Sequence, residues 1–98
     1  PMAGYRLTIR AEADVEAIYE YSILTFGPER AGAYFDALFA RFALLADYPG
    51  LGHDYGHIAP GLRRFEQASH SIYYIRLDDG DVQILRILGQ RQDPGRHL

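Results

Sequence analysis

Ninety-eight residues leave room for one domain, 1–98, because a second hydrophobic core does not fit in so short a chain. The net charge is −3, all ten basic residues are arginine, and there is no cysteine. Disulfides, thiolate metal sites and cysteine nucleophiles are therefore excluded, and the positive surplus typical of a phosphate-gripping nucleic-acid binder is missing.

Of the residues, 48% are apolar and 23% charged, as in ordinary globular proteins. A domain of this size buries only somewhat over ~60% of its unfolded surface, so a bound partner adds usefully to its stability. Apolar runs are a few residues long, far short of the ~20 that a membrane helix needs. The N-terminus has no basic segment leading into an apolar stretch, so no secretory signal is expected, and a reducing cytoplasm fits the missing cysteines. Pro1 precedes the only methionine, Met2, and is expected to be a cloning remnant. Residues 1–60 carry four arginines against eight acids, and residues 61–98 carry six against five. Arginine without lysine suits forked contacts to carboxylates and carbonyls at a protein interface. Compositional drift gives the same pattern.

In chain order, Tyr5-Arg6-Leu7-Thr8-Ile9 alternates apolar and polar and predicts a short strand. Residues 11–26 predict a helix, with Val15, Ile18, Tyr19, Ser22 and Phe26 at helical spacing and Glu12, Asp14 and Glu16 near its start. Gly27-Pro28 stops that helix and opens a second, which runs to about Tyr48. Its stripe is Ala31, Tyr34, Phe35, Leu38, Phe42 and Leu45. So short a connection makes the two helices an antiparallel hairpin. Residues 50–61, rich in Gly, Pro and His, predict a loop. Three strands follow: Leu62 to about Ala68, Ser71 to Leu77, and Val82 to Leu88, with a tight turn at Asp79-Gly80. The tail, 92–98, is polar and expected to be irregular or one helical turn. The order is β-α-α-β-β-β, an α+β fold in which an antiparallel sheet packs against the N-terminal helical hairpin.

Chemistry-bearing patterns are sparse. His53 and His57 sit four apart, a ligand spacing on a helix, but they fall in a Gly-rich loop that fixes no geometry, and no metal is expected. Asp78, Asp79 and Asp81 flank the turn glycine and are expected to shape the hairpin. In Ser69-His70-Ser71, strand alternation places neither serine to share a proton with His70. No Gly-rich phosphate loop precedes a helix, so no cofactor is expected. Tyr19 and Tyr34 fall on the apolar stripes, whereas Tyr21 and one of Tyr73 and Tyr74 are expected to be exposed, as at an interface.

Six segments in order carry a family resemblance. Ala11 to Tyr21, acidic-apolar and ending in aromatics, resembles the first helix of ParE-type toxins of the RelE/ParE superfamily. Leu45-Ala46-Asp47-Tyr48-Pro49-Gly50-Leu51-Gly52-His53 is similar to the end of that family's second helix, and Pro60-Gly61-Leu62-Arg63-Arg64-Phe65 to its next strand. Ser69-His70-Ser71-Ile72-Tyr73-Tyr74 resembles the pattern that follows, as do Ile84 to Leu88 and Gln90-Arg91-Gln92-Asp93 at the end. The resemblance implies a toxin held inactive by a ParD-like antitoxin whose C-terminal segment wraps around it. ParE members act on DNA gyrase, trapping it with broken DNA; RelE members cut messenger RNA in the ribosome.

A ribonuclease needs an acid–base pair and cations for its charged transition state. Net charge here is negative, and Gly89 stands where many relatives carry histidine, a departure from the nuclease pattern and from many ParE members that read His-Gly-Arg there. The charge and the missing base favour gyrase inhibition by binding and no enzymatic activity. The alternatives are a RelE-type ribonuclease using Arg63, Arg64, Arg76 or Arg91 with His70, and a non-toxic antitoxin-binding homologue. Because the resemblance places function near the end of the last strand, the expected target surface is Arg91, Asp93, Arg96, His97 and Leu98, on an unpacked tail free to reach a partner. The expected antitoxin surface includes Tyr21, Ile23, Leu24 and Phe39, apolar residues off the main stripes that suit an amphipathic segment.

Overall fold

The computed structural model describes residues 4–98, so Pro1 lies outside the described residues. The chain enters as β1 (Tyr5–Leu7) and turns at once into α1 (Ile9–Phe26). The predicted strand ran two residues further, and the difference is Thr8. Its hydroxyl oxygen accepts from the Ala11 amide at 3.0 Å, and its hydroxyl proton goes to the Leu85 carbonyl at 2.9 Å. This is an N-cap that also touches the sheet, so the helix starts at Ile9.

Gly27, at φ 87°, ends α1, and Pro28 begins α2 (Pro28–Asp47). A left-handed backbone there favours glycine, and the two helices fold back on each other as expected. Val15 of α1 and Leu38, Phe42 and Leu45 of α2 bury against Ile72, Tyr74, Val82, Ile84 and Ile87 of the sheet. Phe26, expected on the buried stripe of α1, is instead 51% exposed at the helix end.

The sheet has the order β1-β5-β4-β3-β2. Beyond α2 come β2 (His53–Asp54), β3 (Arg63–Gln67), β4 (His70–Arg76) and β5 (Val82–Gly89), then a terminal helical turn, α3 (Pro94–His97). The three predicted strands match β3 to β5 within two residues. β2 is an addition: two residues of the predicted loop pair with Arg63 and Arg64, too short a run to leave a periodic signal. The sheet is also mixed, because β1 lies parallel to β5, from Tyr5 beside Val82 to Leu7 beside Ile84. The helical hairpin and three strands intervene, so the chain returns beside β1 running the same way.

Both tyrosines of the adjacent pair are buried, Tyr73 at 2% and Tyr74 at 0% exposure, which corrects the expectation that one faces solvent. Alternation sends them to opposite faces. Tyr74 joins the core under the helices, while Tyr73 packs with Leu62 and Leu88 beneath Tyr55 and Ala59 of the preceding loop. That loop is the missing cover. The Tyr74 hydroxyl donates to the Pro49 carbonyl at 2.7 Å and accepts from the Gly52 amide at 2.8 Å, fastening the loop to the sheet. A Cβ at position 52 would stand 2.8 Å from a Tyr74 ring carbon. Gly52→Ala is therefore expected to lower stability by about 2 kcal/mol through overpacking, read as the urea midpoint; an unchanged midpoint contradicts this close approach.

Candidate functional site

The outer edge of β5 is where the two ends of the chain meet. β1 covers that edge only as far as Ile84. Past it, the Thr8 amide donates to the Ile84 carbonyl at 3.0 Å, and the Thr8 hydroxyl takes Leu85. The Asp14 carboxylate then accepts from the Ile87 amide at 2.9 Å, and the Gln92 side chain from the Gly89 amide at 2.8 Å. Exposed sheet edges invite pairing with other chains. Side chains of α1 and of the tail close this one.

Asp14 does more than cap. Its two oxygens accept from Arg86 Nε at 2.7 Å and from the terminal Nη2 at 2.9 Å, a forked pair. Both side chains are largely buried, at 11% and 14% exposure, and hydrogen bonding to Asp14 is the main force raising the Arg86 pKa. The remaining guanidinium nitrogen donates to the His97 carbonyl at 2.7 Å. Asp93 N-caps α3 by accepting from the Gly95 amide at 3.0 Å. One arginine thus ties α1, β5 and the C-terminal turn together.

A second polar group lies where the α1–α2 turn meets the β3–β4 turn. A cavity of about 380 Å³ opens there, with Tyr21 and Phe26 from α1, Arg30 and Tyr34 from α2, and Ser69 and His70 among its lining. The Tyr34 hydroxyl donates to the Gln67 carbonyl at 2.9 Å. With its proton so placed, its oxygen accepts from His70 Nδ1 at 2.8 Å. Ser69 is more distant, at 3.5 Å. Burial pushes the His70 pKa down and the Tyr34 pKa up.

The arginines of β3 are committed elsewhere. Arg63 donates to the Gly52 carbonyl at 2.7 Å. Arg64 donates to the Ser71 hydroxyl at 3.0 Å and to the Tyr55 hydroxyl, and lies over the Tyr55 and Tyr73 rings. Arg76 ends the strand that His70 begins, about 20 Å away at ~3.3 Å per residue. Asp79 and Asp81 hold Arg6 of β1, and Asp81 also accepts from the Gly4 amide at 2.9 Å. They shape the hairpin, as expected, and clamp β1 as well. His57 lies against Tyr55, and among the described residues no three potential ligands gather around a metal position.

Residues 5–94 match the family described as the ParE toxin of the type II toxin–antitoxin system parDE. The chain belongs to the ParE toxin family. It is 35% identical over 100 residues to Toxin ParE1 of Caulobacter vibrioides, with 99% of each chain covered. It is 30% identical over 94 residues to Toxin ParE1 of Mycobacterium tuberculosis, with 96% of each covered. Its fold is similar to a structure titled as a chromosomal ParDE TA system from P. aeruginosa, at TM-score 0.73 and 27% identity, covering 90% of this chain and 96% of that one. Among the described residues, no helix is long and apolar enough to cross a membrane.

In this ParE-family chain the expected target residues cluster in one short segment. Arg91, Asp93, Arg96 and Leu98 are exposed and His97 is half-buried. The segment is not the unpacked tail that was expected. Its backbone is held by Arg86 and its entry by the turn from Gly89 to Gln92, whose amide donates back to the Gly89 carbonyl at 3.1 Å. The expected antitoxin residues divide. Tyr21 and Leu24 are 65% and 87% exposed, and Ile23 is half-buried. Phe39 packs on the core among Tyr5, Phe35 and Phe42. Ile9, 86% exposed, joins the outward face of α1 and not the predicted strand. The Arg86–Asp14 pair leaves no local sequence signal, because 72 residues separate its members.

Asp14→Ala leaves Arg86 buried without its partner and is expected to cost about 3 kcal/mol. Amide exchange at Gly95 to Leu98 should also speed up, since Arg86 loses its fixed geometry. Unaltered exchange there refutes the coupling. His70 is neutral in both folded and unfolded chains at high pH, and its lowered folded pKa makes the unfolded chain take up a proton first on acidification. Its contribution is therefore full above about pH 6.5 and lost as pH falls further. Denaturation midpoints at about pH 7.5 and about pH 5 should diverge less in His70→Gln than in the parent; equal divergence means that other groups carry the acid sensitivity.

Proposed function

We propose that this chain is a type II toxin that binds DNA gyrase, stalls it on broken DNA in the cytoplasm, and is neutralised by a ParD-like antitoxin. The observation that carries the reading is the match of nearly the whole domain, residues 5–94, to ParE toxins. The geometry favours action by binding. Arg63 and Arg64 are tied to a backbone carbonyl and to hydroxyls, and His70 to Tyr34, so they do not converge on a place where a phosphate could react. Two surfaces remain on offer. The C-terminal turn presents Arg91, Asp93, Arg96 and Leu98 to a target. The outward face of α1 presents Ile9, Tyr21 and Leu24, exposed apolar residues that suit an amphipathic antitoxin segment.

Purified protein added to gyrase and relaxed plasmid is expected to suppress supercoiling and accumulate cleaved DNA, and stoichiometric antitoxin is expected to reverse both. Supercoiling that persists at micromolar toxin refutes the gyrase reading. Cleavage of ribosome-bound messenger RNA in a parallel reaction would install the ribonuclease in its place.

A further inference from the structure

The cavity at the hairpin turn pairs apolar walls with an exposed arginine that forms no ion pair among the described residues. Tyr21 and Phe26 stand 65% and 51% exposed and line it from α1. The Arg30 guanidinium lies 5.0 Å from the centre of the Phe26 ring, in a chain with 13 acids and a net charge of −3. Yet the ion pairs among the described residues involve Arg6, Arg64 and Arg86, not Arg30. His70 borders the same space, and its bonds to Tyr34 and Ser69 both use Nδ1. Nε2 is left without a protein partner among the described residues, an acceptor when the ring is neutral and a donor when it is charged. Ala68, first residue of the two-residue turn between β3 and β4, completes the rim with φ 53°, the positive φ such hairpin turns use.

We propose that this cavity seats an apolar side chain of a partner peptide while Arg30, on the same lining as His70, receives the carboxylate of an adjacent acidic residue. The volume, about 380 Å³, falls within the range of small-ligand clefts and admits one large side chain. The occupant is an acidic-aromatic segment of the antitoxin, which rests on the functional reading above. Charge complementarity selects it: a basic segment would meet Arg30 with like charge, and an acidic one gains an ion pair that a purely apolar one lacks. Tyr21 makes the cavity continuous with the exposed apolar face of α1.

The test uses the full chain, isotope-labelled, and two capped dipeptide probes, acetyl-Phe-Glu-amide and acetyl-Phe-Gln-amide, titrated by NMR. Both should shift Tyr34 and His70 signals, with the glutamate probe binding about fivefold more tightly, the upper range for an exposed ion pair. Arg30→Gln, at an exposed position, should erase the difference, and Tyr21→Ser should weaken both probes alike. Equal affinity of the two probes for the parent, or no shift at His70, overturns the proposal. Phenylacetate binding as tightly as the glutamate probe overturns the peptide occupant in favour of a small acid. Arg30→Gln should also need several-fold more antitoxin for neutralisation while still inhibiting gyrase. A parent chain that leaves gyrase untouched refutes the wider reading, whereas the probe titration judges the cavity alone.

Discussion

The carboxylate of Asp14 is the constraint around which the molecule closes. β1 is three residues long and leaves the outer edge of β5 unpaired from Leu85 onward. A buried or half-buried amide without a partner costs about 1–3 kcal/mol, and an open edge recruits foreign strands. Asp14 satisfies Ile87, fixes Arg86, and through Arg86 holds the His97 carbonyl. Helix, strand and C-terminus are thereby made one unit. A chain of this size has little apolar surface to spare, so a few well-placed polar ties decide whether its ends are ordered.

That order bears on function. A rigid segment binds with less entropic loss than a free tail, so anchoring the backbone of residues 93–98 while leaving Arg91, Asp93, Arg96 and Leu98 exposed suits recognition of a target. α1 in turn exposes the apolar residues Ile9, Tyr21 and Leu24, of the kind that mark interaction surfaces when they gather on one face. The Asp14–Arg86 link physically connects α1 with the C-terminal turn.

The hairpin and strands β3 to β5 were legible because hydrophobic period and Gly/Pro punctuation are local signals. Leu38, Phe42 and Leu45 are buried as their spacing required, and Gly27-Pro28 divides the helices where expected. What escaped was non-local. The parallel pairing of β1 with β5 depends on where the chain returns. Tyr73 is buried only because residues 55–62 fold over it. Nothing in the tail's own residues reveals Arg86 beneath it. Phe26 and Ile9 sat at element ends, where a shift of one or two residues changes the face presented. The hairpin-turn cavity joins residues 21–34 to 68–70 and has no signature in either stretch alone. The family, by contrast, is legible in six ordered segments spread along the chain, and the match over residues 5–94 agrees.

If this ParE-family chain engages gyrase as proposed, DNA metabolism stops before translation does. The direct measurement is the order in which thymidine and methionine incorporation cease in bacteria after the chain is induced without its antitoxin. Thymidine incorporation falling first, with chromosome breaks appearing and methionine incorporation sustained, is the predicted result. Methionine incorporation falling first, with the chromosome intact, would contradict it.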